Sequence, residues 1–181
     1  MFTFSNALII VAERYGNEKD DAGVDIIKHF LHVYHKVKRK GGSNEAQMTA
    51  ILHDAVEDGK ITIEELEEMG CPESVIIALN LLDHKRDQQW VDERIDYYMK
   101  KDDNVPRPFA NKKAKDEEYL NYVTRLSQND IARMVKTEDL LHNSDIKRQP
   151  VNDMDAAYLG SRLVKYGKAL RILTGGKVGY C

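Results

Sequence analysis

Between Ser43 and Gly59 the chain places His53, Asp54, Glu57 and Asp58 within about two helical turns. The stretch reads as one helix, with Ser43 as N-cap, Glu45 in the acid-favouring first turn and Gly59 as the stop. At about 100° per residue, Met48, Ile51, Leu52, Ala55 and Val56 fall on one side. The imidazole and the three carboxylates fall on the other. Clustered carboxylates repel one another, and a bound divalent cation would relieve that repulsion. The alternative is a solvated acidic face with an incidental histidine. His29 and His32, three residues apart, share a face of the preceding helix and are open to a ligand or a structural role. Asp139 lies on a helix whose apolar face includes Ile131, Met134, Val135 and Leu141, where an ordinary surface charge is one reading.

The elements that must position these residues are helical throughout. Phe2 to Arg14 reads as a core helix ended by Tyr15-Gly16-Asn17. Val24 to Lys40 is the second helix, with Val24, Ile27, Leu31 and Tyr34 as its buried stripe and Gly41-Gly42 as its end. After the central helix, Thr62 to Glu65 forms a capping box for a short helix to Met69. Pro72 suits the first turn of a helix from Glu73 to Asp83. Gln88 to Lys101 is helical with Trp90, Ile95 and Tyr98 as anchors, and Lys101 to Lys113, which holds Pro106 and Pro108, reads as a loop. Helices follow at Asp116 to Leu126, Asp130 to Asn143 and Asp153 to Leu173, the last with Tyr158, Leu163, Tyr166 and Leu170 as its face. No strand-period run stands out. The expected fold is all-α: one compact multi-helix bundle over residues 1–181, with an insertion at 86–117 and a loose tail from 174.

Composition narrows the function classes. The chain has 181 residues, 42% of them hydrophobic, as a globular domain with its own core requires. A net charge of -3 gives no bulk attraction to a nucleic-acid polymer or an anionic membrane. No apolar run approaches the ~20 residues of a membrane span, and Leu8 to Ala12 lacks the flanks of a signal peptide. Cys71 and Cys181 form no C-x-x-C, so a cytoplasmic location is expected, with Cys71 a buried, inert thiol. Nothing in the composition sets the oligomeric state. Lys36, Lys38, Arg39 and Lys40 suit a helix C-terminus. Lys136, Lys147, Arg148 and the run His84-Lys85-Arg86 are better phosphate candidates. His32, His35 and His142 read as structural or surface residues.

His29, the pair His53-Asp54 and the distant Asp139 reproduce H…HD…D, and with it the chain resembles the HD phosphohydrolase superfamily. Leu-His-Asp-Ala-Val-Glu-Asp-Gly, followed by Ile-Thr-Ile-Glu-Glu-Leu, Gly70, Val75 and Ala78-Leu79, looks like the hydrolase domain of the RelA/SpoT enzymes. Val135-Lys-Thr-Glu-Asp-Leu-Leu-His-Asn143 is similar to that family's K-x-x-D-x-x-x-N segment. The small, stand-alone alarmone hydrolases are the nearest subgroup. The resemblance spans roughly residues 12 to 173, with a break near 86–117.

The resemblance implies a metal held by His29, His53, Asp54 and Asp139, most simply Mn²⁺, with Fe²⁺, Co²⁺ or Zn²⁺ compatible with the same donors. Such an ion activates water and polarises a phosphoryl oxygen. Glu57 and Asp58, one turn beyond His53 and Asp54, correspond to the family's proton-handling pair. Asn143 resembles the family's Asn that lines the nucleotide site; Lys136 and Arg148, which flank Asp139 in sequence, and Lys19 in the loop before His29 are the other expected substrate contacts. The implied activity is that of a metal-dependent phosphohydrolase, a nucleotide 3′-pyrophosphohydrolase of the guanosine tetraphosphate (ppGpp) type. The chain departs from the family before His29, where Gly23-Val-Asp-Ile-Ile-Lys lacks the usual Pro and Tyr. The preceding loop, Glu18-Lys19-Asp20-Asp21, keeps only one cation. That acidic loop motivates an alternative, a nucleotidase or phosphatase acting on a less charged nucleotide. A third reading, a non-catalytic nucleotide-binding sensor, has no need of Glu57 and Asp58.

Overall fold

The computed structural model describes residues 2–20, 23–102, 104–148 and 156–176. Among them the chain folds into helices and no strand, as the periodicity predicts. They are α1 (Phe4–Tyr15), α2 (Ile27–Arg39), α3 (Asn44–Glu57), α4 (Ile63–Glu68), α5 (Glu73–Leu82), α6 (Gln88–Lys101), α7 (Arg107–Leu126), α8 (Asp130–Asn143) and α9 (Ala156–Leu173), with a 3-10 turn at Ile146–Arg148. Among the described residues no helix is long and apolar enough to cross a membrane.

Local chemistry sets most boundaries. Ser43 caps α3 by accepting from the Ala46 amide, and Gly59 leaves it at φ 66°, a conformation that side chains disfavour. Thr62 and Glu65 close the expected capping box on α4. Two expectations need correction. The second helix starts at Ile27 rather than Val24, because Asp25 pairs with Lys19 across a short bridge in which the Ile26 amide donates to the Glu18 carbonyl. The expected loop at 101–113 is helical from Arg107: Pro106 is the N-cap and Pro108 lies in the first turn, where a missing N–H costs nothing. Residues 153–155 and 177–181, including the expected start of the last helix and Cys181, lie outside the described residues.

Helix α3 is the axis of the bundle. It packs against α1, α2, α5 and α8, so it is covered nearly all round. One apolar cluster joins Val11, Phe30, Ile51, Leu52, Leu66, Val75 and Leu79. A second joins Val33, Ala50, Leu82, Val123, Leu126, Val135 and Leu170. On α8 it is Leu140 that is buried, while Leu141 is largely exposed. The close approach of the α2 end to α8 requires Gly42: a Cβ there would meet Val37 Cγ1 at 2.6 Å and Met134 Sδ at 3.0 Å. Cys71 is buried at the core edge, and burial pushes its thiol up to about 11, as expected of an inert residue.

The segment 86–117 is built into the molecule. Val91, Ile95 and Tyr98 of α6 pack on Ala110 and Ala114 of α7, giving a two-helix arm with its own small core. Helix α7 then continues into the bundle, where Tyr122, Val123 and Leu126 join the second cluster.

Candidate metal centre and cleft

Three helices deliver the donors. His29 comes from α2, His53 and Asp54 from α3, and Asp139 from α8. One ligand atom from each of His29, His53 and Asp54 lies within 4.8 Å of the others. The two Nε2 atoms are 3.1 Å apart. Asp54 places its oxygens 3.5 Å from His29 Nε2 and 3.2 Å from His53 Nε2. Asp139 Oδ1 completes the group at 3.4 Å and 3.8 Å from the same two nitrogens. The four residues singled out in the sequence thus converge on one small volume.

The tautomer of His53 shows what that volume fits. His53 Nδ1 is 2.9 Å from the Ala50 carbonyl, which can only accept, so Nδ1 carries the hydrogen of the neutral ring. Nε2 then turns a lone pair toward His29 and two carboxylates. His29 is braced through Nδ1, 2.6 Å from His142 Nδ1. Two imidazoles and two carboxylates aimed at one point match a divalent cation with mixed nitrogen and oxygen preference. The local field favours positive charge at this point, on the ring itself or on an ion in its place. Burial disfavours a charged His53, yet Asp54 and Asp139 outweigh it and push the ring up to about 9. Burial also opposes ionisation of Asp139, but Lys136 and the flanking imidazoles hold its carboxyl well below the ordinary range. Lys136 Nζ is 2.9 Å from Asp139 Oδ2, and Asn143 Nδ2 donates to Oδ1 at 2.6 Å.

Glu57 and Asp58 stand beside this group. Burial on its inner side raises the Glu57 carboxyl above its ordinary value; Lys136 opposes the rise, and Asp54 and Asp139 add to it. Burial likewise raises Asp58, against the hydrogen bond that Tyr15 Oη donates to its Oδ2 at 2.8 Å. In the sequence Tyr15 reads only as a helix end and His142 only as a structural or surface residue. In the structure His142 stacks on both His29 and His32, with ring centroids 4.9 and 3.9 Å away. Neither role had a signal in local spacing, since each partner lies far off in the chain.

The four carboxylates Asp54, Glu57, Asp58 and Asp139 form the floor of a cleft of about 890 Å³. Its walls come from the loop after α5 (His84, Arg86), from the arm (Lys112, Lys115 and the acidic Asp116) and from α9 (Arg162, Lys165). Tyr119, Tyr158 and Tyr166 add aromatic surface. The segment 86–117 therefore contributes directly to the cleft. Lys165 sits 4.7 Å above the Tyr119 ring. Burial lowers its ammonium below the ordinary value; Asp116 resists this, while Arg86, Arg162 and Lys112 add to it. The basic pairs Lys112/Lys115 and Arg162/Lys165 have i,i+3 spacing and were readable as shared faces. Treating 101–113 as a loop hid the first.

The remaining substrate candidates separate. Lys136 and Asn143 edge the cleft while bracing Asp139. Lys19 lines a smaller cavity of about 310 Å³ on the other side of the floor, with Glu18, Asp20, Tyr15, His29 and Asp58. Lys85 turns away to Asp83, 3.0 Å from its carboxylate. Lys147 is exposed and lines neither cavity, and the side chain of Arg148 lies outside the described residues. No protein-family model matches the chain and no curated protein matches it.

Proposed function

We propose that the protein is a metal-dependent phosphohydrolase acting on a nucleotide, of the kind suggested by its resemblance to HD-domain alarmone hydrolases. The observation that carries this reading is the convergence of His29, His53, Asp54 and Asp139 on the floor of a cleft whose far wall is cationic. When bound there, a divalent ion such as Mn²⁺ supplies Lewis acidity toward water and a phosphoryl oxygen.

The chain's own residues supply the rest. Lys136 and Asn143 keep Asp139 ionised and aimed. Glu57, its carboxyl already raised, takes the proton from the attacking water. Asp58, oriented by Tyr15, returns a proton to the leaving oxygen. Lys112, Lys115, Arg162 and Lys165 offer charge for the phosphates, and Tyr119, Tyr158 and Tyr166 offer faces for a base. Several cations in one cleft suit a substrate with more than one phosphate; the resemblance to alarmone hydrolases adds that the group removed would be pyrophosphate from the 3′ position of a guanosine nucleotide. The cytoplasm is the proposed setting.

A second reading, a nucleotidase or phosphatase for a less charged nucleotide, draws on Glu18 and Asp20 in the smaller cavity beside His29. One assay separates the two. A nucleotide panel is incubated with Mn²⁺, and the product is identified as pyrophosphate or phosphate. The first reading expects pyrophosphate from guanosine tetraphosphate, with activity abolished by chelator and restored by Mn²⁺. Turnover of monophosphates alone would reverse the ranking, and activity surviving exhaustive chelation would remove the metal mechanism.

A further inference from the structure

His84 lies on the wall of the cleft, away from the donor group on the floor, and nothing in the steps above uses it. Its Nε2 is 3.0 Å from Glu118 Oε2. Glu118 is 2% exposed, and the Asp87 amide also donates to it, at 3.5 Å. In this pair the imidazole N–H is the donor and the carboxylate oxygen the acceptor, which places a hydrogen on His84 Nε2. The ring is held by Tyr122, stacked at 4.3 Å, and by Tyr119, edge-on at 5.6 Å. A buried carboxylate and two aromatic rings therefore fix the orientation of one imidazole.

That orientation decides what the other nitrogen does. Every buried side-chain nitrogen or oxygen among the described residues has a hydrogen-bond partner. Among the described residues the hydrogen bonds of His84 go through Nε2, so Nδ1 keeps access to solvent, and His84 is one of the residues that line the cleft. Burial lowers the ring's basicity; Glu118 works against this, and Arg86 and Lys136 add to it. A neutral ring with its hydrogen on Nε2 offers a lone pair at Nδ1. Among cations suited to phosphate, this is an acceptor, and it suits a different part of the ligand.

We propose that His84 is a specificity-determining residue of this cleft, its Nδ1 accepting a hydrogen bond from an O–H or N–H group on the non-phosphate part of a nucleotide. The inference rests on reading the cleft as a nucleotide site. Two sources carry that chemistry, a ribose hydroxyl and an amino or imino group of the base. A site built around such a bond discriminates against analogues that lack the donor, because the protein group is then left unpaired.

The test uses calorimetry on the full chain with chelator present. The probes are guanosine 5′-diphosphate, its 2′-deoxy analogue and inosine 5′-diphosphate. His84→Gln returns an amide donor to Glu118 but has no polar atom branching from Cγ at the Nδ1 position. It is expected to keep the parent's melting temperature and to bind guanosine 5′-diphosphate about tenfold more weakly, the usual scale for one lost hydrogen bond. The analogue that binds parent and variant alike identifies the donor as the 2′-hydroxyl or the 2-amino group. Glu118→Gln, which no longer demands a donor at Nε2, is expected to weaken binding less. Equal binding of guanosine 5′-diphosphate by parent and His84→Gln would overturn the proposal. A parent that binds in a His84-dependent way but hydrolyses no nucleotide with Mn²⁺ would leave this site standing and remove the hydrolase reading. A parent that binds none of the probes would overturn this proposal and leave the hydrolase reading to the product assay with Mn²⁺.

Discussion

The floor of the cleft and its far wall are built in opposite ways. In the donor group, His29, His53 and Asp139 are no more than 4% exposed, while Glu57 and Asp58 beside them face solvent. His53 is braced by a carbonyl, His29 by His142, and Asp139 by Lys136 and Asn143. The wall carries long cations on α7 and α9, with Tyr158 60% exposed, and half of it rides on an arm in which α6 packs chiefly against α7. A group that must hold a small ion tolerates little positional error, and buried, braced side chains provide that. A surface that meets a larger, charged ligand gains from long side chains that adjust. On the proposed function, chemistry would fall to the buried, braced region and recognition to the exposed one.

Breaking the floor is expected to have the largest effect. Asp54→Ala should lose both metal and activity. It should also lose the rise in melting temperature that metal gives the parent, because a ligand bound only to the folded state stabilises it. Metal analysis and a melting curve with and without Mn²⁺ check this; an Asp54→Ala protein that keeps full metal would refute the donor assignment. Next comes Glu57→Gln, which should retain metal and fold while turnover falls by about 10²–10⁴, the range for a general acid or base. Full activity in that variant would assign the proton work elsewhere.

The wall should respond differently. The double variant Lys115→Gln, Lys165→Gln is expected to raise KM by roughly tenfold or more with kcat little changed, on the scale of lost hydrogen bonds to charged groups. A fall in kcat with KM unchanged would mean that the wall acts in the chemical step. The smallest effect on activity is expected from Ile95→Ala in the arm core. It should loosen the arm by about 2–5 kcal/mol, as truncation of a buried isoleucine does, and leave the metal content alone. Limited proteolysis with metal analysis reads both at once. If metal is lost with the arm, the two regions are not independent.

The sequence made the floor legible and the wall opaque, for physical reasons. Four-residue spacing puts His53 beside Glu57 and Asp54 beside Asp58, so α3 announces its own chemistry. The approach of Asp139 was legible only through the resemblance, because periodicity says nothing of a residue on a distant helix. Two prolines made 101–113 look like a loop, although Pro106 and Pro108 sit where a helix begins. The start of α2 was misplaced because one backbone bridge, between Lys19 and Asp25, overrode an apolar run. The supporting contacts of Tyr15, His142 and Glu118 all cross the chain over long distances, beyond any local pattern.

Those long distances also set an order of events during synthesis. The contact between His29 and His53 spans 24 residues, and the one that braces His29 against His142 spans 113. As the chain leaves the ribosome, His29, His53 and Asp54 emerge well before Asp139 and His142 exist. The nascent chain therefore displays three ligands with no fourth and no brace for His29. Loop closure over so many residues has to be completed before the full donor set forms. If the group holds a metal as proposed, affinity for it would be a late reporter of folding, complete only when α8 docks.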